Sequence, residues 1–169
     1  GSLIGLIKDY RMQEPPLDIE VHLPREGYHY DVRNGRYMGR GKTIRAAITT
    51  GEIKLLASLP YQVTDISVAL PRKVKRGGKV ECCFNVNVTA AYSDTSSVEP
   101  PEAGPHVFVV EVYGPDGEKL KHYGGNVQTD AGTGKKIFHL AFNDNSGAWR
   151  VRVRDVASGV FNERYMHVE

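Results

Sequence analysis

The chain has almost no cysteine: Cys82 and Cys83 are the only two, and they are neighbours. On a strand, adjacent side chains point to opposite faces, so these two cannot readily bond to each other and no disulfide framework exists. That is compatible with the cytoplasm and equally with a secreted protein stabilised by its core. Long apolar runs are also missing. None approaches the roughly 20 residues a membrane-spanning helix needs, which excludes membrane insertion of that kind. Excess charge of one sign is absent as well: 22 basic residues against 20 acidic ones leave a net charge of +2. A balance that close provides no field to recruit nucleic acid or an anionic membrane. No stretch combines sustained 3.6-residue periodicity with capping signals, so little helix is expected. The first residues, Gly1-Ser2-Leu3, lack a basic n-region, an apolar h-region and a small-residue cleavage site, and read as an expression scar or an internal cut.

What the sequence does contain is period-2 alternation. Leu17, Ile19, Val21 and Leu23 alternate with Asp18, Glu20 and His22, the pattern of a strand with one wet face. Tyr28 to Arg33 and Arg36 to Gly39 flank Asn34-Gly35, a dipeptide suited to the positive φ angles of a two-residue type I′ turn, so a tight hairpin is expected there. Two more strands follow on either side of Thr50-Gly51, and Pro60, which cannot donate to a ladder, ends the run. A second series starts at Val63, and its longest member sets Val80, Cys82, Phe84, Val86 and Val88 against Glu81, Cys83, Asn85, Asn87 and Thr89. A polar loop, Ala90 to Pro105, separates this from the β-rich run Val107 to Val112. Gly114-Pro115-Asp116-Gly117 is then a strong turn signal, after which Lys119 to Tyr123 is expected to return as the partner strand. Further strands are expected at Lys135 to Phe142, Ala148 to Val156 and Val160 to Val168.

The fold class is therefore all-β, in two small antiparallel modules. Residues 1–62 form the first, with 1–16 a linker or a strand belonging to an upstream domain. Residues 63–169 form the second, with about seven strands at the spacing of an immunoglobulin-like β-sandwich.

Candidate chemistry is sparse. Gly39-Arg40-Gly41-Lys42-Thr43 ends like a phosphate-binding loop, but Arg36 stands where that motif needs glycine and a strand follows where it needs a helix, so a turn is the better reading. The histidines His22, His29, His106, His122, His139 and His167 are scattered singly without metal-ligand spacing, and read as solvent-facing strand residues. No nucleophile elbow is present, and Cys82 reads as a small core residue. Glu14, Asp18 and Glu20, or Asp116 and Glu118, could on paper form the acid pair of a glycosidase, though acids beside turns are usually solvated. No catalytic residue, metal or cofactor is assigned. The surface candidates are Tyr28, Tyr30 and Tyr37, which straddle the hairpin. Exposed, they could stack on sugar rings; packed across strands, they would instead stabilise the hairpin. The row Arg150, Arg152, Arg154 could bind an anion or keep a sheet face soluble.

The stretch Tyr28 to Gly39, with its Tyr-Asp-Val-Arg-Asn-Gly-Arg-Tyr-Met-Gly core, and Thr50 to Tyr61 (Thr-Gly-Glu-Ile-Lys-Leu-Leu-Ala-Ser-Leu-Pro-Tyr) resemble the terminal β domain of large bacterial glycoside hydrolases of the β-galactosidase type. The second half, with Val109 to Gly117, His122-Tyr123, Asn143-Asp144 and Trp149 to Gly159, resembles the immunoglobulin-like module that follows it. The resemblance implies a non-catalytic accessory or scaffolding region of a carbohydrate-active enzyme, partnered by a catalytic domain of the same parent chain, with carbohydrate as a further partner. Separately, an extracellular or periplasmic setting is expected. The resemblance brings no catalytic residue to this chain. The alternatives are a glycan-binding module built on the three tyrosines and a cell-surface adhesion module of immunoglobulin-like type.

Overall fold

The computed structural model describes residues 1–9, 11, 15–89 and 102–169. Glu14 and residues 90–101 of the expected polar loop lie outside the described residues. Among the described residues there is no helix, in keeping with the absence of helical periodicity, and twelve strands form three sheets.

Four strands belong to the first unit: β1 (Ser2–Ile7), β2 (Leu17–Asp31), β3 (Arg36–Ile48) and β4 (Ile53–Leu59). They form one antiparallel sheet in the order β1-β4-β2-β3. The apolar opening segment, expected as a linker or an upstream strand, pairs with β4 from Ser2↔Ser58 to Ile7↔Ile53. The short strands expected between Leu17 and Ile48 are merged into two long ones. Their ladder is interrupted by register shifts between His22 and Gly27 and between His29 and Tyr30. Pro24 falls inside the first shift, where its missing N–H costs no ladder bond.

The hairpin is not the two-residue turn expected from Asn34-Gly35. Asp31↔Arg36 is its last pair, so four residues, Val32 to Gly35, form the loop. The cause is the Asp31 carboxylate, which accepts the Asn34 backbone N–H at 3.1 Å and the Asn34 Nδ2–H at 2.7 Å, giving the backbone a local alternative to the tighter turn. Gly35 still supplies a left-handed residue, at φ 57°.

The second unit begins at Val63. Its strands are β5 (Gln62–Ala69), β6 (Lys73–Val74), β7 (Lys79–Thr89), β8 (His106–Tyr113), β9 (Gly125–Thr129), β10 (Thr133–His139), β11 (Gly147–Asp155) and β12 (Phe161–Val168). One sheet has the order β10-β7-β5, the other β6-β12-β11-β8-β9. Pairing is antiparallel except where the two-residue β6 lies parallel to β12. The expected return strand at Lys119 to Tyr123 is reduced to a bridge between Tyr113 and Lys119. The partner of β8 is β9, in the register Phe108↔Val127.

The two sheets of this unit pack face to face through residues that alternate along the strands. Val80, Cys82, Phe84 and Val86 from β7 are buried, as are Phe108, Val110 and Val112 from β8 and Trp149, Val151 and Val153 from β11. Phe84 meets Phe108 across the layers at 4.8 Å between ring centroids. Each such side chain contributes on the order of 1.5–3 kcal/mol by leaving water, so this stripe dominates the unit's stability. Trp149 closes one end: its Nε1–H donates to the Asn145 carbonyl at 2.9 Å and its ring lies 5.7 Å from that of Tyr123. Phe142, expected on the same inner face as Phe138 and Leu140, is instead 85% exposed, because β10 ends at His139 and the chain turns before the alternation reaches it.

Candidate functional site

The three hairpin tyrosines come together, but not as a surface. Tyr30 and Tyr37 are a cross-strand pair with rings 5.4 Å apart, and Tyr28 lies 6.5 Å from Tyr37. Tyr28 and Tyr30 are buried, and only Tyr37 is open to solvent, at 41%. Arg40, the cross-strand partner of Tyr28, holds its guanidinium 5.6 Å from that ring and pairs with Glu26 at 3.1 Å. Burial, and then the nearby Tyr28, push the Tyr37 phenol above its usual range, so it stays a neutral donor near pH 7. What remains for a ligand is one aromatic face beside an already paired arginine.

The phosphate-loop look-alike lies wholly inside β3. It is strand rather than the expected turn. Gly41 pairs with Gly27, and its carbonyl oxygen lies 2.9 Å from His29 Nε2, so that His29 donates there. Gly27 is needed for the close approach of β4: a Cβ there would meet Ser58 Oγ at 2.4 Å.

The histidines divide. His22, His122, His139 and His167 face solvent as expected, but His29 and His106 are buried. Both sit on strands whose neighbours cover them on either side, which the local sequence does not reveal. His106 on β8 and Asp155 on β11 form a buried hydrogen-bonded pair, Nδ1 to Oδ1 at 2.8 Å, with neither side chain exposed. No sequence signal linked these residues, which are 49 positions apart. The pair lies on adjacent strands inside the sandwich, and neither residue borders the cavities described next.

Among the described residues, two concavities with polar linings stand out. A groove of about 500 Å³ in the first unit is bordered by Leu23, Pro24, Arg25, Glu26, Ser58 and Leu59, and its one carboxylate is the Glu26 already paired with Arg40. A cleft of about 120 Å³ in the second unit is walled by Asp116, Asn143, Asp144 and Trp149. There Asp116 accepts the Glu118 N–H at 3.0 Å, and Asp144 accepts the Tyr123 hydroxyl at 2.6 Å and the Ala141 N–H at 2.7 Å. Burial, and then this bond to Asp144, raise the Tyr123 phenol above its usual range. Both carboxylates are thus employed in shaping turns. Of the other acids considered, Glu20 pairs with Arg45 at 2.7 Å and Asp18 and Glu118 are exposed. Among the described residues, no three His, Cys, Asp or Glu side chains are grouped so as to hold a metal ion.

The arginine row lies on the outer face of the five-stranded sheet and is largely spoken for. Arg152 Nε donates to Glu163 at 2.6 Å, and Arg150 reaches the same carboxylate at 3.4 Å. Arg150 also covers the Tyr113 ring at 4.2 Å and Arg152 the Phe161 ring at 4.5 Å. Beside them Glu111 binds Lys119 and accepts the Tyr113 hydroxyl. Partial burial would raise Glu111, but the Lys119 hydrogen bond and charge outweigh it and hold the carboxyl below its usual range. Arg150 and Arg152 share one carboxylate, so this part of the face is a partly neutralised network rather than a bare cationic strip.

No protein family matches the chain, and no curated protein does. Among solved structures it is similar to a superoxide reductase (neelaredoxin) from Ignicoccus hospitalis, with TM-score 0.39 and 15% identity over 63% of this chain and 82% of that one. It is similar to the CARDB domain of a Pyrococcus furiosus protein in complex with di-metal ions, with TM-score 0.39 and 12% identity over 67% and 95%. It is also similar to a β-glucuronidase from Bacteroides uniformis, with TM-score 0.37 and 13% identity; that match takes in 98% of this chain and spans 26% of the enzyme. Scores at this level assign neither a family nor a chemistry to the chain.

Proposed function

We propose that the chain is a non-catalytic accessory region of a bacterial carbohydrate-active enzyme, composed of a small antiparallel module (residues 1–62) and an immunoglobulin-like sandwich (residues 63–169), and that it scaffolds a catalytic domain of its parent chain. The observation that carries this reading is the employment of its polar side chains. The carboxylates at the two concavities, Arg150 and Arg152, and the buried His106–Asp155 pair are each engaged in holding turns, sheet faces or the core. The immunoglobulin-like assignment draws on strand order. β5, β7 and β10 form one sheet and β8, β11 and β12 lie side by side in the other, the division of strands A, B, E and C, F, G. The departures are Trp149, which sits on β11 rather than β8, and Cys82, which is unpaired.

The alternative of glycan binding would rest on Tyr37 alone, since Tyr28 and Tyr30 are buried. The test is to assay the chain for hydrolysis of aryl β-glycosides and, separately, for saturable binding on a glycan array. Neither is expected. Turnover abolished by neutralising Glu26, Asp116 or Asp144 would overturn the accessory reading. Saturable binding lost in Tyr37→Ala would replace it with the glycan-binding one.

A further inference from the structure

Sheet edges invite other strands, and proteins commonly guard them with charge, brevity or proline. Most edges here are guarded. β3 carries Arg36, Arg40, Lys42 and Arg45, β10 carries Lys135 and Lys136, and β5 carries Asp65. β6 is two residues long, and β9 is five with Val127 its one apolar side chain. β1 is different. It is an edge strand whose residues, Ser2-Leu3-Ile4-Gly5-Leu6-Ile7, include no charge and no proline. Leu3 and Ile7 are 70% and 72% exposed, and a Cβ placed on Gly5 would meet nothing within 4 Å.

The sequence of this edge also selects its occupant. About Gly5 the side chains form an apolar palindrome. An antiparallel copy of the same strand, centred on Gly5, sets Leu3 of one copy opposite Ile7 of the other and Ile4 opposite Leu6, and glycine meets glycine on the axis. Every apolar residue of β1 then finds an apolar partner on its own face, which an arbitrary strand would not supply. The uncharged stretch ends where Lys8 and Asp9 begin.

We infer that β1 is a self-association edge: two copies of this chain join by antiparallel β1–β1 pairing about a two-fold axis through Gly5. The joined sheet has the order β3-β2-β4-β1-β1-β4-β2-β3. Its outer edges are the two basic β3 strands, so the assembly closes as a dimer and does not grow into a filament. This surface is independent of the accessory role and stands or falls separately from it.

Sedimentation equilibrium on the whole chain tests the inference. The wild type should show reversible association to twice the monomer mass. Leu3→Lys/Ile7→Lys alters only exposed side chains, so it should keep the wild-type circular dichroism and urea midpoint while weakening the dimer by about 100-fold or more. The two-fold itself is read by Gly5→Cys in a Cys83→Ser background, labelled with pyrene. Cys82 is buried, and burial pushes its thiol up to about 12, so it stays silent. Excimer emission that rises with concentration supports pairing at Gly5. A wild type that stays monomeric at several hundred micromolar, a dimer indifferent to the two lysines, a dimer without excimer, or open-ended growth would each overturn it.

Discussion

Replacing Asp155 with alanine removes one half of a polar pair that has no contact with water. His106 Nδ1 lies 2.8 Å from Asp155 Oδ1, both side chains are fully buried, and the His106 ring is stacked on Phe108 at 6.0 Å. With the carboxylate gone, the imidazole N–H is left in the core without this acceptor, a loss of about 1–3 kcal/mol for a neutral group. A hydrogen bond to a charged acceptor contributes about 1.5–3 kcal/mol. We expect the variant to lose about 2–3 kcal/mol. For a urea slope of roughly 2 kcal/mol per molar, that is a fall of about 1–1.5 M in the midpoint. The readout is built in, because Trp149 is the only tryptophan and lies buried in the same unit. The companion variant His106→Leu/Asp155→Leu removes both polar groups and should recover most of the loss, giving a coupling energy of about 2 kcal/mol or more in a double-mutant cycle. An Asp155→Ala protein within about 1 kcal/mol of wild type, or a double variant worse than the sum of the singles, would refute the reasoning.

The two cysteines should behave oppositely. Cys83 is exposed and should react with a thiol reagent in the native state, while Cys82, buried with its thiol pushed up to about 12, should react only on unfolding. Two equivalents titrated rapidly without denaturant would contradict the packing of β7. Glu52 offers a pH test. The Lys54 ammonium at 2.8 Å, the Thr49 N–H at 2.9 Å and the Thr49 hydroxyl at 3.0 Å lower its carboxyl from 4.5 to about 2. A folded value below the unfolded one means these contacts contribute fully above pH 4.5 and are lost as the pH falls through about 2. Titration followed by NMR should place Glu52 near 2 and show it returning toward 4.5 in Lys54→Met and in Thr49→Ala. An unchanged value in both variants would rule out these donors as the cause.

Strand existence was legible because burial on one face imposes a period of two, and that period is written directly in residues such as Val80, Cys82, Phe84 and Val86. Strand length was harder to read. The interruptions at Pro24 to Gly27 and just before Gly39, at Met38, are register shifts within β2 and β3, because the ladder can tolerate unpaired residues where a strand bends. The turn at Asn34-Gly35 was misjudged for a local reason that the sequence does contain: Asp31 lies three residues before Asn34 and takes its N–H.

The sequence by itself determined the class of this protein: all-β, free of disulfides, with alternating strands such as that of Val80, Cys82, Phe84 and Val86. These follow from spacing between neighbours, which local physics sets. Only the tertiary structure decided which polar groups are spent. Tyr28 and Tyr30 went inside while Tyr37 stayed out, His106 met Asp155 from another strand, and Arg150 and Arg152 found Glu163 on β12. Each depends on which strands become neighbours, a long-range pairing that no window of sequence encodes.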